Sequence, residues 1–409
     1  MEKSEKVTLF AGIILIGFVL GVIYHYILGF YFKLPELYNS FLYPARLAFC
    51  DFFGSFPYIK NLAPYSSVTL WTVYFPLAVF FLYPFSLIKF KTLAYLIYLL
   101  PFLLYLIKKN AKNFYCENLT QAQNFQNIFI LTFASYPVLY CLDKGNIDMY
   151  LFILLGIWAY AFKDRKYGVS AFILGVMNAV KPFTLYFLLF YLIKKRYKEF
   201  FFSIILTIIL IFGGFMLLHD SFSTQFLNFL KCIAHYKEQY ALSNIVCFGF
   251  CSSVFMPLKA VMLHFSTTLQ DMASFVKYYD LSCHFITLIT LFFVWKEKIF
   301  WKQITLLICN FLLLPYCTYD YKLIFLFIPV WFFMNEKGSS KKSDLTYLLL
   351  FSLLLIPKNI MVVFPLIKNG PVNWLSFSAI VNPVIILALS LFIIYEQITN
   401  KRKKKENEI

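Results

Sequence analysis

The chain has little charge. Only 14% of its 409 residues are Asp, Glu, Lys or Arg, whereas about a quarter of an average soluble domain is charged. Hydrophobic residues make up 61% of the sequence. This composition excludes an ordinary soluble domain, and it predicts an integral membrane protein that is surrounded by membrane lipids.

Cysteine and histidine form no pattern that is typical of a site. The nine cysteines include no CxxC pair, and many lie inside apolar runs, which favours packing over disulfides or zinc binding. Among the five histidines, His219, His235 and His264 lack the spacing of metal ligands. We therefore predict neither a metal site nor a cofactor.

The chain also lacks a Gly-rich phosphate loop and the strand–helix alternation of a Rossmann fold, which argues against a nucleotide-sugar enzyme. The net charge of +17 is not a nucleic-acid signal, because most of the 37 Lys and Arg residues cluster between apolar stretches. We therefore predict no nucleic-acid partner. The clusters occupy the N-terminal hexapeptide and residues 108–112, 163–166, 194–198, 296–302, 337–342 and 401–405.

Apolar stretches recur along almost the whole sequence. Several are shorter than the ~20 residues that a perpendicular span needs, so tilted, broken or half-length helices are expected. We predict an all-α, multi-pass transmembrane fold of about twelve helices. Under the positive-inside rule the basic clusters mark cytoplasmic loops, which places both termini in the cytoplasm.

This topology leaves three polar features on the outer side: the loop 31–90, the turn 143–148 and the stretch 219–271. In the third feature, Lys231 and Lys237 alternate with aromatic residues, as on an interfacial amphipathic helix. Membrane adhesion is the favoured explanation for that pattern. The other two features carry the candidates for chemistry.

Asp51 is the first of these candidates. It lies in the outer loop near the bilayer, where an unpaired carboxylate is costly to keep charged and is a site candidate by default. A carboxylate that acts as a general base takes a proton from a hydroxyl, and a group near the membrane has the raised pKa that suits this task. The alternative is an Asp that caps a juxtamembrane helix.

The turn 143–148 and the break before Pro182 carry further polar candidates. Asn146 lies in the turn, and Asp148 begins an apolar helix, where capping competes with a role in a site. Lys181 lies on the outer side between two apolar stretches, where its ammonium could hold a lipid phosphate. The alternatives are a snorkelling lysine or a partner of Asp148, and such a partner would still belong to the site.

A polar segment late in the chain contains Asp320, Tyr321 and Lys322 at an outer helix end. These residues are candidate substrate contacts, and Lys322 is a second candidate for the phosphate. In the alternative interpretation, Lys322 only neutralises Asp320.

Eight short segments occur in an order and spacing that resembles glycosyltransferase family 87 over residues 51–329. The segments are Asp51-Phe52, Pro64-Tyr65, Tyr74-Phe75-Pro76-Leu77, Gly145-Asn146-Ile147-Asp148, 170–175, Lys181-Pro182, Leu242-Ser243-Asn244 and 315–329. The chain departs from the family pattern at Phe75, which replaces a Pro, and at Phe172, which replaces a Gly. It also has Asp320-Tyr321 where several members have His.

The resemblance implies a GT-C fold, in which a multi-pass helical enzyme has its site on the side away from the cytoplasm. It also implies a polyprenyl-phosphate sugar donor, inversion at the anomeric carbon and Asp51 as the general base. The sugar would be mannose or another hexose or pentose, and the acceptor would be a glycan or a glycolipid. The predicted substrate-binding residues are Lys181, Asp148, Asn146, Asn244, Asp320, Tyr321 and Lys322.

A transporter or lipid flippase without covalent chemistry is the alternative function, because intramembrane charges and broken helices are typical of transporters too. The long outer loop favours an enzyme, since alternating access gives no reason for a large one-sided chamber. A passive scaffold, the third class, predicts no effect from any polar outer residue.

We predict that residues 1–271 form the catalytic membrane module, with its outer loops at 31–90 and 219–271. Residues 272–400 would be supporting transmembrane helices, and 401–409 a basic cytoplasmic tail. The predicted location is the bacterial inner membrane.

Overall fold

A computed structural model describes residues 1–35, 38–42, 47–70, 73–243, 249–265, 269–336, 340–363 and 374–406. Helices dominate this part of the chain. In chain order they are α1 (Lys3–Phe30), α2 (Cys50–Phe53), α3 (Phe56–Ile59), α4 (Pro76–Ser86), α5 (Lys91–Phe114), α6 (Gln121–Phe133), α7 (Tyr136–Lys144), α8 (Asp148–Lys163), α9 (Tyr167–Val180), α10 (Leu188–Ile193), α11 (Tyr197–Met216), α12 (Phe222–Lys237), α13 (Phe255–Phe265), α14 (Leu269–Lys296), α15 (Phe300–Leu313), α16 (Phe327–Met334), α17 (Lys341–Leu355) and α18 (Phe377–Glu406).

Three irregular helical segments and one short pair of strands complete the described structure. The 3-10 segments are Pro182–Phe187 and Asp320–Leu326, and Glu238–Leu242 is a π-helical turn. Strands β1 (Met361–Val363) and β2 (Trp374–Ser376) are antiparallel.

The prediction of a helical protein with several membrane-length helices is confirmed. Among the described residues five helices, α1, α5, α11, α14 and α18, are long and apolar enough to cross a membrane. The number becomes six if α6 and α7, which meet at a bend of 50°, form one broken span. The predicted number of about twelve is not confirmed, because several apolar stretches fold as short helices of 11 to 14 residues, such as α4 and α9.

The chain divides into two compact units, and each combines stretches that are distant in sequence. Unit 1 contains Met1–Ala45, Ile107–Tyr140 and Leu242–Ile409, and unit 2 contains Arg46–Leu106 and Cys141–Ala241. The predicted boundary at residue 271 concerns catalytic and supporting roles rather than compactness, and it stays a prediction.

Unit 1 contains two buried ion pairs between helices. Lys6 of α1 pairs with Asp344 of α17 at 3.1 Å, and Lys302 of α15 pairs with Glu396 of α18 at 2.7 Å. The Tyr347 hydroxyl also donates a hydrogen bond of 2.7 Å to Glu396. Because an unpaired buried charge is costly, these pairs fix which helices lie next to each other in the unit.

In unit 2, α9 packs against α8 and α11. Gly175 permits close approach to α11, because a Cβ atom at this position would lie 2.8 Å from the Leu206 side chain. Helix α9 ends at Val180 because Pro182 disfavours helical geometry in the residue before it. Lys181 accordingly has extended backbone angles, with φ −147° and ψ 136°.

Candidate active site

The turn after α7 is shaped by a glycine. Gly145 has a φ of +66° and donates its N–H to the Cys141 carbonyl at 2.9 Å, so it ends the helix in the left-handed conformation. A Cβ atom at Gly145 would lie 2.8 Å from Tyr95 and 2.9 Å from Phe52. Glycine is therefore required both for the backbone angle and for the close approach of this turn to α2.

Asp51 lies on α2 and is joined to the turn by a short hydrogen bond. The Asn146 side-chain amide donates to Asp51 Oδ2 at 2.6 Å, and the Cys50 thiol donates to Asp51 Oδ1 at 3.4 Å. The preceding Phe49 donates its backbone N–H to the Asp143 carbonyl at 2.6 Å. The bonds from Asn146 and Phe49 hold α2 and the turn together.

Lys181 contacts the same turn. Its ammonium donates to Asp148 Oδ1 at 2.8 Å and to Asn146 Oδ1 at 2.9 Å. Asp148 is completely buried, and the Lys181 side chain is 12% exposed. Asn146 therefore contacts Lys181 with its oxygen and Asp51 with its nitrogen, which brings the four residues into one cluster.

The capping alternatives can be compared with this geometry. Neither α2 nor α8 has a side-chain cap, and the N-cap residues are Phe49 and Ile147. Asp148 lies in the first turn of α8 and pairs with Lys181, as one of the two alternatives for that lysine expects. This pairing keeps Lys181 within the cluster.

The surroundings of Asp51 act on its acidity in opposite directions. Burial raises the pKa of the carboxyl, whereas the hydrogen bond from Asn146 and the positive charges of Lys144 and Lys181 lower it. Burial prevails, so the pKa lies above the ordinary Asp value. A carboxylate with a raised pKa is a stronger base, and this property suits proton abstraction from a hydroxyl.

The cluster contains two residues to which the sequence analysis assigned no role. Lys144 is buried, and its ammonium lies 3.4 Å from Cys50 Sγ and 3.3 Å from the Leu47 carbonyl. The Tyr74 ring lies under the Lys181 ammonium, with 4.8 Å between nitrogen and ring centroid. Lys144 belongs to the polar turn and Tyr74 to the segment Tyr74-Phe75-Pro76-Leu77, but neither pattern indicates a contact with the cluster.

Asp320 lies in unit 1 and is completely buried. Its carboxylate accepts hydrogen bonds from Ser252 at 2.6 Å, Asn382 at 3.1 Å and Tyr136 at 3.3 Å. The Asp320 backbone N–H donates to the Phe250 carbonyl at 2.9 Å. Both carboxylate oxygens are thus engaged by neutral donors, an arrangement that orders the surrounding segment.

The remaining predicted contacts also fall in unit 1. Tyr321 is buried and stacks on Tyr319, with ring centroids 5.7 Å apart. Lys322 is partly exposed and donates its backbone N–H to the Tyr319 carbonyl at 2.9 Å. Asn244 lies outside the described residues.

Across the described ranges, no three His, Cys, Asp or Glu side chains are grouped so that they could hold a metal ion. The cluster in unit 2 contains two carboxylates, two ammonium groups, one amide and one tyrosine.

Comparison with known proteins agrees with the resemblance in the sequence motifs. Residues 71–296 match the sequence profile of Glycosyltransferase family 87. Asn146, Asp148 and Lys181 lie inside the matched region, whereas Asp51 precedes it and Asp320 follows it. No curated protein matches the chain at a significant level. Because the profile covers more than half of the sequence, the chain belongs to glycosyltransferase family 87, a family of membrane glycosyltransferases.

Proposed function

We propose that this protein is an inverting glycosyltransferase that uses a polyprenyl-phosphate sugar. It would transfer mannose or another hexose or pentose to a glycan or lipid-linked acceptor on the non-cytoplasmic face of the membrane. Family membership supports glycosyl transfer over the transporter alternative. The single observation that carries the mechanism is the Asn146 side chain, which joins Asp51 to Lys181.

In the proposed reaction Asp51 takes the proton from the acceptor hydroxyl. The hydroxyl oxygen forms a bond to the anomeric carbon while the bond from that carbon to the phosphate oxygen breaks, so the configuration inverts. The proton remains on Asp51 until it passes to solvent. The raised pKa of Asp51 supports this role, because a stronger base accepts the proton more readily.

Lys181 would stabilise the negative charge that grows on the leaving phosphate. A phosphate leaving group needs charge stabilisation more than protonation, so one base and one cation suffice. The Asp148 carboxylate pairs with the Lys181 ammonium at 2.8 Å. It would orient that cation until the donor phosphate shares it.

The other predicted contacts are part of the same proposal. Asp320 would order the segment that carries Tyr321 and Lys322, since its carboxylate is already engaged by three donors. We propose that Tyr321, Lys322 and Asn244 bind the donor or the acceptor. The basic clusters support a topology with both termini in the cytoplasm, and the proposed location is the bacterial inner membrane.

The direct test is an assay of the purified protein with a panel of polyprenyl-phosphate sugars. One donor should release polyprenyl phosphate and give a product with the opposite anomeric configuration, which NMR spectroscopy can assign. Retained configuration would contradict the inverting mechanism. Failure of a folded protein to release polyprenyl phosphate from any donor would contradict the donor class.

The role of Lys181 has its own test. Lys181→Ala removes the charge that meets the donor phosphate, so the donor KM should rise by about tenfold or more, as expected for a lost hydrogen bond to a charged group. The acceptor KM should change much less. A normal donor KM with normal turnover would contradict phosphate binding by Lys181 and would favour the interpretation as a snorkelling lysine.

A further inference from the structure

Tyr74 lies directly against the cluster that contains Asp51. Its ring centroid is 4.8 Å from the Lys181 ammonium, within the ~6 Å at which a ring face attracts a cation. The Tyr74 hydroxyl is also hydrogen-bonded by the Asn146 side chain. Tyr74 therefore contacts the residue proposed to bind phosphate and the amide that joins it to the base.

The backbone of Tyr74 is fixed by a hydrogen bond from a buried tyrosine. The Tyr65 hydroxyl donates to the Tyr74 carbonyl at 2.5 Å. Tyr65 is completely buried, with its ring centroid 5.7 Å from that of Phe215 in α11 and 5.2 Å from that of Phe229 in α12. Phe75 also contacts Phe229, at 5.3 Å between centroids. The Tyr74 segment is thus fixed to two helices of unit 2.

A lysine needs such support if it is to bind a phosphate as a point charge. Its four-carbon side chain is flexible, and holding it in one rotamer costs up to about 2 kcal/mol of conformational entropy. In the cluster, Asp148 and Asn146 accept hydrogen bonds from the ammonium. The face of the Tyr74 ring supplies a further attractive surface to the same ammonium.

When a donor phosphate arrives, it competes with Asp148 for the ammonium, because both are anions. The Tyr74 ring does not compete with the phosphate for the N–H donors of the ammonium, since the ring face carries neither a negative charge nor a lone pair. It can keep the ammonium in position while the ionic partner changes.

We propose that Tyr74 is a positioning residue that holds the Lys181 ammonium where the donor phosphate binds, an inference that rests on the proposed function. It predicts a specific loss of affinity for the phosphate group when the ring is removed. The hydroxyl of Tyr74 should contribute less, because the cation–π contact with Lys181 is made by the ring.

The experiment measures the affinity of the purified, detergent-solubilised chain for a short-chain polyprenyl phosphate by calorimetry. This probe is the proposed leaving group, so the sugar need not be known. Tyr74→Leu should raise Kd by about 2- to 30-fold, the range that corresponds to one cation–π contact. Tyr74→Phe keeps the ring and should restore most of the affinity.

Two further measurements separate positioning from stability. In a Lys181→Ala background, Tyr74→Leu should cause no additional loss, because the ammonium that the ring holds is absent. Tyr191→Phe is the matched control for Tyr74→Phe, because it removes the hydroxyl of a buried tyrosine whose hydrogen bonds within the described ranges are with Ser170 and Trp158. It should leave Kd unchanged.

Replacing Tyr74 with a phenylalanine that carries three fluorine atoms on its ring tests the cation–π contact with little change in side-chain shape. It keeps the ring but weakens its negative face, so Kd should rise as it does in Tyr74→Leu. Wild-type affinity in this variant, or an equal loss with and without Lys181, would overturn the proposal. If Lys181→Ala itself left Kd unchanged, the proposed phosphate site would fail instead.

Discussion

At the scale of single residues, the proposed mechanism depends on the Asp51 carboxylate. Asp51→Asn keeps the shape of the side chain but removes the proton acceptor. Folding and donor binding should therefore survive, while kcat falls by about 10² to 10⁴, the usual contribution of acid–base catalysis. Turnover with the donor identified from the panel is the measurement, and thermal unfolding in detergent controls for stability.

The capping interpretation predicts the opposite result for the same variant. Asparagine caps a helix about as well as aspartate, so activity would be nearly intact if Asp51 only stabilised the start of α2. Asp51→Glu should retain a trace of activity at most, because the carboxylate is displaced from Asn146. Wild-type turnover in a folded Asp51→Asn protein would contradict the catalytic role.

Lys144 provides a second test at this scale, through the pH dependence of the reaction. The proposed base, Asp51, would work in its charged form, so kcat/KM should rise with pH through its pKa, which lies above the ordinary Asp value of about 4. The Lys144 ammonium favours the charged carboxylate. Lys144→Met should therefore raise the pKa further and move the acidic limb of the profile to higher pH.

Lys60 offers the control for this change, because it is exposed and belongs to the same unit. Lys60→Met should leave the acidic limb where it is in the wild type. If both variants had the acidic limb of kcat/KM at the same pH as the wild type, titration of Asp51 would not govern the rate.

At the scale of elements, the turn that carries Asn146 and Asp148 depends on Gly145. Gly145→Ala should destabilise the protein by about 1–2 kcal/mol from the left-handed backbone alone, with a further loss from contact with Tyr95 and Phe52. Activity should fall as well, because both polar residues move with the turn. Thermal unfolding and kcat/KM measure the two effects.

Gly168 is the matched control, because it lies in α9 and a Cβ atom there meets nothing within 4 Å. Gly168→Ala should be neutral or slightly stabilising, because the backbone of this first-turn position is helical and alanine restricts the unfolded chain more than glycine does. Equal stability of the two alanine variants would show that the turn tolerates another conformation.

Several elements could be predicted from local sequence rules. Pro182 places the end of α9 correctly, since its effect acts on the residue before it. The polar turn and the apolar helix that follows it were also recognisable from composition. These features depend on residues that are close in sequence, so the pattern contains the information.

The contacts within the cluster are harder to predict from the sequence. Asp51 and Asn146 are 95 positions apart, and the geometry that joins them depends on the packing of α2 against the turn. Tyr74 and Lys144 were missed because an aromatic or a lysine near a membrane has a common explanation as an interfacial residue. The predicted number of about twelve is not confirmed, because hydropathy does not distinguish a short apolar helix from one of membrane-spanning length.

At the scale of the whole molecule, the topology can be tested by labelling. In a background without reactive native cysteines, Asn61→Cys and Ser66→Cys should react with a membrane-impermeant thiol reagent from outside. Lys166→Cys and Ser340→Cys should react only after the membrane is opened, because the basic clusters mark the cytoplasmic side. All four positions are exposed in the structure.

Reaction of Lys166→Cys from outside would contradict the arrangement in which the start of α9 is cytoplasmic. It would then place the cluster of Asp51 and Lys181 on the opposite side from the one proposed. The parent protein without the added cysteines is the control for background labelling.

The shortness of α9 has a consequence for the substrate. Its 14 residues rise by about 21 Å, whereas the hydrocarbon core is about 30 Å thick. If α9 starts at the cytoplasmic surface, the lysine at its end cannot reach the opposite headgroups. The sugar phosphate of a lipid carrier would therefore have to move from the outer headgroups toward the bilayer centre to meet Lys181, while the lipid tail stays in the bilayer. The reaction would then take place below the level of the outer headgroups. The thickness of the host membrane would then set the depth of the site, since each added methylene in its lipids places the outer headgroups further from Lys181.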